Sequence, residues 1–459
     1  MTEIPQRRSQ LGWLTPGELA VEVKARRIDT VLLAITDMQG RLQGKRLDAE
    51  FFLEEVVPNS AEGCDYLLAI DVEMNTVGGY AYSSWDLGYR DLVMRPDLET
   101  LRRVPWHEST AFCVADVLTT DGLDVAVSPR QILRRQLRRL DELGYSAFVG
   151  TELEFIVFND TYEEAQKRAY RGLTPANLYN VDYSLLGTSR IEPLLRRIRM
   201  GMSGAGMLVE SVKGECNLGQ HEIAFRYAEA LAKADEHSLF KTGAKEIAAQ
   251  ENCSITFMAK FDDREGSSCH IHFSIRDKAG LAALAEGDEG RSGIFENVLA
   301  GMIASLEETV LFLAPNVNSY KRFVSSSFAP TAIAWGTDNR TCAFRVVGHG
   351  NSLRIECRVP GADVNPYLAI AAMVAGSIRG IEERLPLEGE LEGNAYESDR
   401  RRVPSNLRDA MDLFSNSAFN RETFGDAVVD HYTNYARVEL DAFGSAVTDW
   451  ERFRGFERL

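Results

Sequence analysis

Apolar positions along this chain recur with two periods, and the shorter one points to its chemistry. GTELEFIVF, residues 150–158, sets Leu153, Phe155, Ile156, Val157 and Phe158 around Glu152 and Glu154. A short β-branched and aromatic run after a glycine predicts a strand, whose side chains alternate between faces. Glu152 and Glu154 then share one face, ~7 Å apart, and repel by roughly 2–3 kcal/mol at an effective dielectric near 20. Either a positive group lies beside them or that face is solvated. SSCHIHFSIRD (267–277) alternates in the same way and puts His270, His272 and Ser274 in one row. SLRIECRVP (352–360) does so with Arg354, Glu356 and Arg358, a stripe that suits an ion-pair ladder or a ligand cradle.

The longer period marks helices. Thr15-Pro16 and Ser128-Pro129 read as helix starts, the second leading into a face of Ile132, Leu133, Leu137 and Leu140. The arginines of that segment (Arg134, Arg135, Arg138, Arg139) are read as its solvated side. Residues 225–252 and 365–385 predict two long helices, and TVLLAITDMQGRLQGKRL predicts strand, turn and strand. The expected plan is α+β: a small sheet-rich N-terminal domain at 17–118 and a large C-terminal one at 124–459. GRLQGKRL lacks the glycine spacing and the Lys-Ser/Thr of a phosphate loop, and reads as a hairpin turn.

Composition narrows the choice of function. The chain has 459 residues, 45% hydrophobic and 26% charged, with a formal net charge of −17. That charge argues against a non-specific nucleic-acid binder and suits small cationic ligands. No run of about 18 apolar residues predicts a membrane span. The opening MTEIPQRRSQLGW lacks the apolar core of a secretory signal. Seven cysteines without a C-x-x-C pair suit a reducing compartment, so a cytoplasmic location is expected.

KGECNLGQHEIAFRY (213–227) adds Glu215 and Glu222. With Glu152, Glu154, Glu356 and one or two histidines, the chain offers an oxygen-rich ligand set without thiolate. Such a set suits Mg²⁺ or Mn²⁺ rather than structural zinc. Arg322, Arg340 and Arg345 could clamp phosphate or carboxylate, and the whole set suits phosphoryl transfer.

The motifs TELEFIVF, GECNLGQHEIAFRY, SSCHIHFS, NSYKR, DNR and RIECRVPGADVNPYLA stand here in the order of the bacterial type I glutamine synthetase family, which the chain closely resembles. The resemblance implies a β-grasp-like N-terminal domain and a catalytic α/β funnel holding two or three divalent metals, Mg²⁺ or Mn²⁺, with ATP as substrate. It implies two stacked hexamers, each site completed by a neighbour's N-terminal domain. It assigns Glu154, Glu215 and Glu222 to one metal, and Glu152, His270 and Glu356 to another. His272, Ser274, Arg345 and Arg354 fall at the nucleotide. Arg322 and Arg358 fall at the glutamate, in a donor site that also includes Gly266, and Arg340 falls at the transferring phosphoryl. The catalytic groups carried over are Arg340, Arg322 and Asp91.

The match fails around the amine. Glutamine-forming members have a flap reading Val-Pro-Gly-Phe-Glu-Ala-Pro, and here it reads VSSSFAP, with Phe328 in the glutamate's place. Their Asp-Gly-Ser-Ser is replaced within DVEMNTVGGYAYSSWDLGYRD, where only the later Asp91 is kept. Tyr80, Tyr82, Trp85 and Tyr89 enrich that stretch and either line an amine pocket or pack the sheet. The family's Asn-Gly-Ser-Gly, whose asparagine helps hold the α-amino group of the donor glutamate, is here Glu265-Gly266-Ser267-Ser268, and GNAYESD replaces its regulatory tyrosine loop, so Tyr396 is a poor adenylylation target. A phenylalanine in place of a carboxylate removes a cation partner. The expected activity is ligation of an organic amine to L-glutamate, a small monoamine such as ethanolamine ahead of a polyamine. An ammonium-using glutamine synthetase and a non-catalytic oligomer are the alternatives.

Overall fold

The computed structural model describes residues 12–288 and 290–459. The N-terminal stretch read as lacking a secretory signal falls largely in residues 1–11, outside the described residues. Among the described residues no helix is long and apolar enough to cross a membrane.

Thr15 caps the helix Pro16–Lys24 through a capping box with Glu18, as its Thr-Pro pair predicts. The strands Thr30–Thr36 and Leu42–Asp48 follow as an antiparallel pair, and Thr30–Thr36 also pairs in parallel with Thr110–Leu118. They belong to an N-terminal sheet, six-stranded among the described residues, with its own apolar core, including Leu33, Ile35, Phe52 and Leu92.

The larger sheet has nine strands among the described residues. Its middle is the long strand Tyr145–Phe158, which carries the TELEF run. On one side lie Cys269–Asp277, Arg354–Cys357, Phe344–Val347 and Trp335–Thr337, and on the other Gln220–Phe225 and Val209–Gly214. Leu153, Phe155, Ile223, Ile271, Phe273 and Ile355 point into the core beneath, where the helices Ala230–Gln250 and Pro366–Glu383 also bury side chains. The opposite face is left for polar groups, as strict alternation requires. The helix expected from residue 225 starts only at Ala230: Phe225 ends one strand, and Ala228–Glu229 pairs with the long central strand.

The helix Pro129–Glu142 overturns another expectation. Among the four arginines read as its solvated side only Arg138 is largely exposed, and Arg134 pairs with Asp116 of the N-terminal sheet. Arg130, which sequence reading passed over, is buried. It donates to Asp116 at 2.5 Å, to Asp97 at 2.7 Å and to Asp235 at 2.9 Å. The Tyr367 hydroxyl donates to the same Asp235 at 2.7 Å. One guanidinium thus ties the N-terminal sheet to two helices of the catalytic part. Removing one partner of a buried ion network leaves charge without compensation and costs ~3–5 kcal/mol. The Arg130→Met variant should therefore lose stability on that scale in denaturant unfolding; a loss under about 1 kcal/mol would show that the network carries little.

Candidate active site

The polar face of the large sheet owes its geometry to register. Glu154 stands directly opposite Glu222, and Glu152 opposite His270. His272 stands opposite Glu356, and Glu356 opposite Arg345. Directly opposed residues of antiparallel strands point the same way. Five strands therefore deliver one row of carboxylates, imidazoles and guanidinium, and Glu215 reaches it from the loop after Val209–Gly214.

The row has an electropositive and an electronegative end. Glu356 is fully buried and meets Arg358 at 2.6 Å and Arg345 at 2.9 Å. Burial would raise its carboxyl, but His270 and Arg358 hold it down at about 2. Glu152 lies 2.9 Å from His272 Nε2 and 3.4 Å from His270 Nδ1. Against its burial, those two hydrogen bonds keep it well below the usual carboxylate range. His270 also lies 3.5 Å from Glu356, and burial lowers its own pKa to about 4, so it is neutral with a lone pair to offer. Its Nε2 is buried without a hydrogen-bond partner among the described residues.

At the other end Glu154, Glu215 and Glu222 bring oxygens within 4.8 Å of one another. Glu154 accepts hydrogen bonds from Gln220 Nε2 at 3.0 Å and the Ser268 N–H at 2.9 Å. Burial and the neighbouring Glu215 nevertheless push it up to about 7. Burial and the charge of Glu152 push Glu222 up to about 9. Lys213, paired with Glu215 and held above its usual range by Glu222 and Glu215 despite its burial, is the nearby cation that sequence reading missed. Its place two residues before Glu215, on a strand, was the available signal. Lys213 does not relieve the crowding, and the carboxylates retain the donor set and the excess negative charge of a divalent-cation site. The second expected triad is spread over two overlapping groups, Glu152–His272–Glu356 and Glu152–Glu222–His270.

Beside this row lies a cavity of about 270 Å³, lined by Glu152, His272, Ser274 and Arg354, with the aromatic walls Phe148, Phe225 and Tyr227. Three of the four expected nucleotide residues line it, and Arg345 does not. Arg354 donates to His272 Nδ1 at 3.2 Å, which fixes the imidazole toward Glu152. The walls Phe148 and Phe225 carried no sequence signal, because a buried aromatic reads as core, and Tyr227 lies half exposed between two strands in the stretch read as helix.

The remaining candidates are dispersed. Arg322 is 2% exposed and donates to the carbonyls of Val359 and Arg358, both at 2.8 Å. Gly266 packs against it so closely that a Cβ would stand 2.5 Å from Arg322 Cγ. Arg340 is half exposed on a turn, and its carbonyl accepts from Arg358 Nε at 3.2 Å. Phe328 is 61% exposed with φ of 59°, and its carbonyl accepts from Arg358 Nη2 at 3.4 Å. Asp91 does not join the row: it opens the N-terminal strand Asp91–Pro96, exposed and opposite Cys64. The aromatic segment divides. Tyr80 is buried against His431, which is packing, whereas Trp85 is 77% exposed and meets Tyr89 edge-on. The Tyr396 hydroxyl donates to the Ala329 carbonyl at 3.0 Å.

Carboxylates and a neutral imidazole converging beside guanidiniums and an aromatic-walled cavity define a class: an enzyme site that gathers cations and polyanions on one sheet face. The chain belongs to the glutamine synthetase family, and its residues 126–454 match the family's catalytic domain. It is 63% identical to the gamma-glutamylethanolamide synthetase GlnA4 of Streptomyces coelicolor over 442 residues, 96% of each chain. It is 35% identical to a glutamate–isopropylamine ligase of a Pseudomonas species, over 94% of this chain and 96% of that one. Its fold matches the solved GmaS/ADP complex with a TM-score of 0.84 at 26% identity, over 96% of this chain and 99% of that one.

The carboxylate cluster has a pH signature. Raised carboxyl pKa values mean that Glu154 and Glu222 contribute stability to the metal-free protein that is fully present below about 4.5, the ordinary glutamate value, and is lost as pH climbs toward 9. A cation that replaces those protons restores it, so the rise in unfolding temperature on adding Mg²⁺ should be greater at pH 9 than at pH 5. The Glu222→Gln variant should lose most of that pH dependence; an equal Mg²⁺ effect at both pH values in the parent protein would exclude cation binding here.

Proposed function

We propose that the protein is a γ-glutamylamine ligase that uses ATP to join a small monoamine, ethanolamine foremost, to the γ-carboxylate of L-glutamate. The observation that carries this reading is a complete carboxylate–arginine row with Phe328, not an acid, on the flap. The similarity to a gamma-glutamylethanolamide synthetase supports the same acceptor.

The placement of side chains supports the following chemistry. The γ-carboxylate attacks the terminal phosphorus of ATP, and γ-glutamyl phosphate forms as ADP leaves. The amine nitrogen then bonds to the acyl carbon, and phosphate departs with the acyl C–O bond. Glu154, Glu215 and Glu222 would hold one divalent ion, and Glu152, His270 and Glu356 a second. Bound Mg²⁺ or Mn²⁺ would neutralise charge on the phosphate oxygens. His272, Ser274 and Arg354 would orient the nucleotide, with the aromatic walls receiving its flat base. Arg345 sits behind, fixing Glu356. Arg340, on its exposed turn, would meet the phosphoryl in transfer, while Arg322, Arg358 and Gly266 wall the donor site. An amine with a pKa of ~10 arrives as a cation and must lose a proton before attack.

Because Asp91 lies outside the row, its part in this scheme is to reach the site of a neighbouring copy. A dodecamer of two stacked hexamers in the cytoplasm fits that arrangement.

Phosphate release with ATP, Mg²⁺ and glutamate, measured across an amine panel at pH 7, tests the reading. Ethanolamine should give the highest kcat/KM, ammonium at least tenfold less, and chelation of divalent ions should abolish turnover. Preference for ammonium would make the protein a glutamine synthetase, and no release with any acceptor would make it a non-catalytic member of the family.

A further inference from the structure

Two departures from the glutamine-forming pattern face one cavity. A space of about 610 Å³ lies between residues 258–265 and the flap, and both Glu265 and Phe328 line it. The flap has lost a carboxylate at 328, and the opposite wall has gained one at 265. The cavity adjoins the row: Cys216, which also lines it, follows Glu215, and Gly266, pressed against Arg322, follows Glu265. The backbone at Glu265 is fixed, since its carbonyl accepts from Asn217 Nδ2 at 2.8 Å. Its carboxylate has no hydrogen bond or ion pair among the described residues, whereas Asp262 Oδ1 accepts from both Asn217 Nδ2 and the Arg264 N–H at 2.9 Å.

Resting on the ligase reading above, we propose that Glu265 is the specificity-determining acid that receives the ammonium group of the acceptor amine. Phe328 and Val324 cover its carbon substituent. The charge of the walls sets the class of amine. Asp262, Asp263 and Glu265 are matched by Lys260, Arg264 and Lys321, so the lining carries no net negative charge for a second ammonium group. Glu265 beside an apolar wall suits a short primary amine; Asp263, on the same lining, likewise has no hydrogen bond or ion pair among the described residues, but it stands farther along the chain from Gly266 and the row.

The donor glutamate also carries an ammonium group, and steady-state kinetics of the full-length enzyme separate the two. The Glu265→Gln variant should raise the KM for ethanolamine about tenfold, as loss of a charge-assisted contact does, with kcat and the KM values for glutamate and ATP within about twofold. Glu265→Asp should fall between. Glu265 is exposed, so both variants should keep the parent's unfolding temperature. An unchanged ethanolamine KM, or a rise confined to glutamate, would overturn the assignment while leaving the ligase reading in place. Absence of amine-dependent turnover in the parent enzyme would overturn both.

Discussion

Carboxylates aimed at one point on a sheet face repel one another, and the rest of the site is organised around that repulsion. At the Glu356 end the chain answers it internally, with Arg345, Arg358 and two imidazoles. At the Glu154–Glu215–Glu222 end a single lysine is close, and two of the carboxyls are driven up to about 7 and about 9 instead. A fold designed only for stability would have replaced such a cluster with apolar residues at little cost. Its place over a rigid, core-backed sheet is a functional signature, because an external cation would turn the arrangement from strained to favourable.

Sheet register is what makes the arrangement precise. Glu154 opposite Glu222 and Glu152 opposite His270 are consequences of antiparallel pairing, and a slip of one residue would send each of these side chains into the core. The alternating core residues Leu153, Phe155, Ile271 and Ile223 exclude that slip. The same apolar run that reads as a buried strand therefore also fixes the position of the acids between its members.

Much of this was legible in the sequence and some was not, for identifiable reasons. Alternation placed Glu152 and Glu154 on one face and His270 with His272 on another strand, and the capping pairs located two helix starts. Strand order was not legible, since no local pattern states that Gln220–Phe225 lies beside Tyr145–Phe158. Arg130 was missed because arginines on an amphipathic helix suggest solvent. Its spacing from Leu133, Leu137 and Leu140 nonetheless puts it on the apolar side, and that was the readable clue. The early helix start at 225 failed because tertiary pairing extended the strands to Glu229. The cavity beside His272 and Arg354 stayed hidden because Phe148 and Phe225 have the composition of ordinary core.

The division between strand and loop also explains how one family can change its acceptor. Phosphate and metal chemistry is assigned to strand residues held in register, where small displacements are costly. The amine side is assigned to the flap and to residues 258–265, whose exposed side chains can change sign or polarity without disturbing the core. Exchanging an acid for Phe328 on one wall while Glu265 stands on the other moves the charge across the cavity rather than removing it. The cation would keep a partner, with an apolar surface in the position next to it. Ammonium gains nothing from that surface, whereas a carbon substituent does. With Glu265 as the proposed receiving acid, selectivity for a substituted amine would arise from where the charge is placed, with the row of carboxylates and arginines beneath it unaltered.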